Sequence, residues 1–227
     1  MSLIWHECEK LEQYIVDTIS NTATEFCEPH MDEFNRGGWK NRVWRSDSIR
    51  RAHLDVVDAR ESKRMWMMHF CIMPQLHNGG PIYGLDIVAG QRKVTGFFLD
   101  ASMSSCANTI EEHYHKSVED AEWKKQRELP EWAQAIFSDH MVAAGNIQDI
   151  GELQNLVNLA TNTLQFYVEN IHITNHTITE QTGKTIQNTY AYHQKRNPHT
   201  PKVMKSLGLD DASVAKFCGD CLFPVLT

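Results

Sequence analysis

Three strand-like runs carry the side chains that could do chemistry. His53 and Asp55 lie two apart, so on a strand both point to one face. Met67, His69 and Cys71 share a face of a second run, and Gly84, Asp86 and Val88 share one of a third. Asp86 interrupts the apolar run Ile82-Tyr83-Gly84-Leu85-Asp86-Ile87-Val88, where a carboxylate requires either a partner or a proton. If the strand of His69 pairs with that of Asp86, both side chains project into one pocket. That is a general acid/base pair without a nucleophile. The same pattern also reads as a buried His–Asp hydrogen bond that serves structure only. His53 and Asp55 alone read as an edge-strand pair on a solvated face.

Other chemistries lack their signatures. No Gly-x-Gly-x-x-Gly follows a strand, no P-loop and no Gly-x-Ser-x-Gly elbow occurs, and Asn78-Gly79-Gly80 is a turn with no helix after it. The twelve histidines include no His-Glu-x-x-His, which leaves a metal-dependent hydrolase without ligand spacing, and His113 and His115 read as solvated. Cys218-Gly-Asp-Cys221 is half of a zinc site at most, so it reads as two plain thiols near the end of a C-terminal helix.

Short runs must position these side chains. Residues 3–28 have apolar residues at roughly helical spacing (Leu3, Ile4, Leu11, Ile15, Ile19), which predicts a helix. From Trp39 to Asp100, β-branched and aromatic runs alternate with short turns at Asn35–Gly38, Gln75–Gly80 and Gly90–Lys93. The loops are too short for parallel crossovers, so the strands form an antiparallel meander. After Ser104 the pattern turns helical: 111–127, a start at Leu129-Pro130-Glu131-Trp132, a long core helix over 147–173, then 185–196, and one or two helices over 203–222. Strands first and helices afterwards predict an α+β fold with helices packed on the sheet, in a single domain over 1–227.

Composition bounds the rest. The 227 residues carry 22 Lys and Arg against 29 Asp and Glu, a net charge of −7, which argues against a general nucleic-acid binder. No apolar run is long enough to span a membrane, and no secretory signal opens the chain, so a cytoplasmic location and six reduced cysteines are expected.

At these residues the sequence resembles the ferredoxin-dependent bilin reductases. The likeness rests on His69-Phe70-Cys71-Ile72-Met73-Pro74, Pro81 to Val88 and Leu99-Asp100, then on Leu129-Pro130-Glu131-Trp132 with Ile136-Phe137-Ser138. It continues through Tyr190 to Pro224, ending in Leu222-Phe223, and covers the chain from about residue 40 onward. Each motif is loose; their order and spacing together are specific.

The resemblance implies a three-layer α/β/α sandwich with a central antiparallel sheet. It implies a monomer that binds biliverdin IXα between the sheet and the C-terminal helices. It further implies that no cofactor or metal is bound, that a reduced 2Fe–2S ferredoxin delivers electrons singly, and that side chains supply protons. Asp86 matches the family's proton-donating aspartate and His69 the histidine that shares protons with it. His53 and Asp55 match a His-x-Glu pair with Asp in place of Glu. Thr95 falls where the family has a hydroxyl near a propionate, and Asn197 matches an Asn on the C-terminal loop.

Two departures bear on the pocket. Pro198 stands where many relatives have an acid. Residues 141–146 hold no Arg where the family often has one for a propionate, which leaves Lys195, Arg196, Arg92 or His199 for that task. Lys195, Arg196, Lys202 and Lys205 form a basic cluster that suits docking of an acidic ferredoxin, and equally reads as a solvated helix face. In family members that reduce the D-ring vinyl group, a Glu beside the sheet histidine is tied to that step. Asp55 is one methylene shorter, so the expected product is phycoerythrobilin through 15,16-dihydrobiliverdin; the alternatives are phycocyanobilin, or a non-catalytic bilin carrier.

Overall fold

The computed structural model describes residues 2–105, 108–124, 126–173 and 177–227; Cys106 lies outside them. Seven strands form one antiparallel sheet in sequence order: β1 (Thr24–Phe26), β2 (Trp39–Arg45), β3 (Ile49–Ala59), β4 (Met65–Pro74), β5 (Ile82–Gly90), β6 (Val94–Ser102) and β7 (Val142–Ala144). The helices are α1 (Leu3–Ser20), α2 (Arg60–Lys63), α3 (Thr109–Glu119), α4 (Glu131–Gln134), α5 (Ile150–Asn170), α6 (Glu180–Gln194), α7 (His199–Ser206) and α8 (Asp211–Lys216). A 3-10 turn spans Pro29–Phe34, and a π-helical turn over Phe217–Leu222 continues α8.

The pleat sorts β4 into two cores. Trp66, Met68, Phe70 and Ile72 face α1, α3 and α5, while Met67, Cys71 and Met73 face the 3-10 turn and the C-terminal helices. Both faces are therefore covered, which is why the central strands read as near-continuous apolar runs. The result is the α/β/α sandwich expected. On the C-terminal side the cover is incomplete. Val43, Val57, Met67 and Cys71 are buried there, whereas Gly84, Asp86 and Val88 of β5 and Phe98 of β6 remain half-exposed.

Several boundaries differ from expectation. The first helix ends at Ser20, where its apolar stripe stops, and Glu25 and Phe26 instead pair with Trp44 and Val43. The helix expected over 111–127 ends at Glu119; beyond it Arg127 donates its backbone N–H to the Ala143 carbonyl at 2.7 Å, alongside β7. The long helix starts at Ile150, because Asp149 caps it by accepting from the Gly151 and Glu152 amides, and Ile147 pairs with Val94. The C-terminal segment is two helices and the π turn, with α7 already under way at His199.

Candidate functional site

The meander registers the polar side chains into rows across the sheet. Asn41, Asp55, His69, Asp86 and Phe98 are successive Cα partners from β2 to β6 and form one row. Val43, His53, Cys71, Gly84 and Asp100 form the next. The structure thus brings His53, Asp55, His69 and Asp86 together. The edge-strand reading of His53 and Asp55 is corrected: β3 is internal, and these side chains are 0% and 1% exposed.

Each group has a distinct electrostatic setting. His69 Nδ1 meets Asp86 Oδ1 at 2.6 Å; the His69 side chain is buried, while that of Asp86 is 42% exposed. Burial would lower the His69 pKa, but the adjacent Asp86 carboxylate, with a smaller contribution from Asp55, outweighs it and holds the imidazole above its ordinary value. His69 is therefore the protonated partner of a charge-assisted hydrogen bond. Its Nε2 is buried and has no partner among the described residues.

His53 is the opposite case. Burial, with Arg51 nearby, drives its pKa well down, so it is neutral. Asn41 donates its amide nitrogen to Asn35 Oδ1 and turns its Oδ1 to His53 Nε2 at 3.0 Å. His53 Nε2 therefore carries the proton, and Nδ1 is a buried acceptor without a partner among the described residues. The two rings lie 6.4 Å apart. Among buried groups such vacancies are uncommon, and here they supply one donor and one acceptor for a ligand.

Asp55 sits at the floor of the row. Its carboxylate accepts from Trp39 Nε1, and Trp39 packs on Phe34 and Phe217. Burial pushes the Asp55 pKa up to about 7. Phe223 lies edge-on to His69, with ring centroids 5.5 Å apart, and closes the site from the C-terminal side.

The other predicted residues lie apart from this row. Thr95 is the extra residue where the β5–β6 register shifts, and its exposed hydroxyl donates to the Val88 carbonyl at 3.0 Å. The Asn197 side chain accepts from the His199 amide at 2.9 Å, at the start of α7. Arg196, in the turn after α6, stacks on the exposed ring of Tyr192, and His199 is exposed. Arg92 lines a concavity of about 1270 Å³ with Ser2, Trp5 and Arg60, which includes none of the four clustered residues. Lys205 pairs with Asp211 at 2.5 Å, and Lys195, Arg196 and Lys202 are exposed. The solvated reading of His113 and His115 is corrected too: both are half-buried, His113 stacked on Phe166 and His115 on His140. Cys218 and Cys221 lie in the π turn as free thiols. Among the described residues no three His, Cys, Asp or Glu gather as metal ligands would, and no helix is long and apolar enough to cross a membrane.

Other site features are missing from the sequence reading. Asp100, in the second row, receives the Ser138 amide at 2.9 Å and hydroxyl at 2.6 Å, which ties the 136–138 segment to the sheet. Burial lifts its pKa to about 6. Gly84 lets Tyr190 approach: a Cβ there would stand 3.1 Å from the Tyr190 hydroxyl. Arg127 lies over the Phe98 ring, 5.7 Å from its centroid. Leu99-Asp100 and Ile136-Phe137-Ser138 were visible as motifs, but their contact was not.

A model of the ferredoxin-dependent bilin reductases matches residues 6–224. The chain belongs to this family. It is 28% identical over 193 residues to a phycocyanobilin:ferredoxin oxidoreductase of Synechococcus sp. (strain CC9605), covering 81% of this chain and 74% of that one. A second such oxidoreductase, from Prochlorococcus marinus (strain MIT 9515), is 26% identical over 106 residues, 46% of this chain and 43% of that one. Among solved structures, that of PcyX superposes with a TM-score of 0.72 at 35% identity, covering 97% of this chain and 99% of that chain. Tomato phytochromobilin synthase, solved with biliverdin, shares the fold: TM-score 0.75 at 13% identity over 93% of this chain and 82% of that chain. The bilin reductase family makes the chain an oxidoreductase, and the Asp55–His69–Asp86 row is its candidate active site.

Proposed function

We propose that this bilin reductase converts biliverdin IXα to phycoerythrobilin through 15,16-dihydrobiliverdin. Each of the two reductions takes two electrons, one from each of two reduced 2Fe–2S ferredoxins, and two protons. The observation that carries the reading is the His69–Asp86 pair. It holds a proton in a 2.6 Å hydrogen bond whose carboxylate end opens onto the uncovered part of the sheet. A tetrapyrrole over β5 and β6 would meet Asp86 directly, and Asp86 is the principal proton donor: it takes up the proton that His69 shares with it and passes it to the bilin. The vacant His69 Nε2 donor and His53 Nδ1 acceptor suit the lactam C=O and N–H groups of the terminal rings. Protons reach the bilin from these side chains as electrons arrive.

The choice of product rests on Asp55. A donor must come within about 2.6–3.2 Å of its acceptor, directly or through one water. Asp55 is a methylene shorter than Glu, fully buried, and engaged by Trp39, so it is drawn back from the pocket. Pro198 supplies no acid at the other side. Both features disfavour direct vinyl reduction and leave Asp86 to act near the 15,16 bridge. The second reading is phycocyanobilin, because two relatives are named for that product. Chromatography of products from biliverdin with reduced ferredoxin separates them. Phycoerythrobilin, with 15,16-dihydrobiliverdin appearing early, is expected; phycocyanobilin as the dominant end product would refute the assignment.

A further inference from the structure

We propose that Arg127 is the substrate-carboxylate clamp of this protein, an inference that rests on the biliverdin reading above. Arg127 lies in the stretch between α3 and α4. Its backbone N–H is fixed to the Ala143 carbonyl at 2.7 Å, which pins its Cα beside β7. From there the side chain runs back over the uncovered part of the sheet, and its guanidinium lies over Phe98. Phe98 is the cross-strand partner of Asp86, one strand spacing or about 5 Å away.

Gly145 makes room for it, and Gly96 for the Phe98 ring beneath it. A Cβ at Gly145 would stand 2.9 Å from both Cδ and Nε of Arg127, and one at Gly96 would stand 2.7 Å from Cε2 of Phe98. The stem therefore lies in a trough that a methyl group at Gly145 would close. Stacking on Phe98 and confinement against Gly145 pre-order the guanidinium, which lowers the entropic cost of using it.

The charge is also unspent. Arg42 pairs with Glu25, Arg45 and Arg51 with Glu28, and Arg60 with Glu9 and Asp58. Arg127 has no carboxylate within 4.0 Å among the described residues, although it is exposed and next to the catalytic row. A fixed, unpaired guanidinium at the edge of an acidic protein's active site suits a bidentate ligand carboxylate. Biliverdin carries two such groups, its propionates, on short arms from the central rings. Arg127 takes one of them and sets the lateral position of the bilin over Asp86.

Titration of Arg127→Gln and wild type with biliverdin IXα and with its dimethyl ester tests this by absorbance. The expected result is that wild type prefers the diacid, and that the variant loses about five- to tenfold in affinity for it. The variant should bind the diester as wild type does, which also shows that its site is intact. Equal affinity of the variant and wild type for the diacid would overturn the proposal. So would an equal loss for both ligands, which would mean that Arg127 serves only to pack on Phe98. If wild type bound neither ligand, the substrate reading itself would fall, and this inference with it.

Discussion

Replacing Asp55 by Asn should remove part of the protein's pH dependence of stability. Burial raises the Asp55 pKa from an ordinary 3.8 to about 7. Between those values the folded state keeps a proton that the unfolded chain has released. Wild-type stability must therefore fall as pH rises from about 4 to about 7, and stay level in this respect above. Each pKa unit is worth ~1.4 kcal/mol, so ionising Asp55 costs about 4 kcal/mol in full, of which about 3 kcal/mol falls between pH 5 and pH 8. Asn cannot ionise, and its Oδ1 can still accept from Trp39. His69 contributes stability that is present at low pH and lost as pH rises through its raised value. Asp86 supports that shift more than Asp55 does, so most of it is common to both proteins and cancels in the difference. Urea unfolding at a series of pH values is the assay. The stability difference, variant minus wild type, should grow by about 3 kcal/mol in favour of Asp55→Asn between pH 5 and pH 8. Parallel curves would show that Asp55 is ionised already at pH 5 and that burial does not govern it.

His69→Gln should retain biliverdin but shift the bound spectrum and slow reduction at least about tenfold, because the donor at Nε2 and the proton held at Nδ1 both go; an unchanged spectrum and rate would remove His69 from the site. Gly183→Ala in α6 should destabilise the fold by about 1–3 kcal/mol despite the better helix propensity of Ala, since its Cβ would stand 2.0 Å from the Leu76 carbonyl oxygen, a backbone atom that cannot swing away. A melting temperature equal to or above that of wild type would contradict this packing.

The acid–base row was legible because a strand's two-residue period places His53 with Asp55 and His69 with Cys71, and the short loops forced an antiparallel meander. The register that sets Asp55, His69 and Asp86 side by side was not legible: the pairing of the His69 and Asp86 strands stood only as a condition, and His53 and Asp55 read as an edge pair. Edge strands were not legible: β1 and β7 have three residues each, too few to show a period. Contacts between distant segments were equally hidden. Asp100 with Ser138, Gly84 with Tyr190, and Arg127 with Phe98 span 29 to 106 positions of the chain, and no local pattern announces them. Arg196 and His199 stood as candidates for a propionate because residues 141–146 hold no Arg, and at a helix end both are exposed. Arg92 lies at the β5–β6 turn, at the rim of another concavity.

The most direct test is a single-turnover absorbance experiment on Asp86→Asn loaded with biliverdin and mixed with reduced ferredoxin, beside wild type. Removal of the ionisable group from the exposed end of the 2.6 Å pair leaves the binding surface in place and takes away the proton donor. Wild type should pass through a series of spectra to a reduced bilin. Asp86→Asn should bind biliverdin and then stall, as unreduced complex or a long-lived radical, whereas turnover near the wild-type rate would contradict the account.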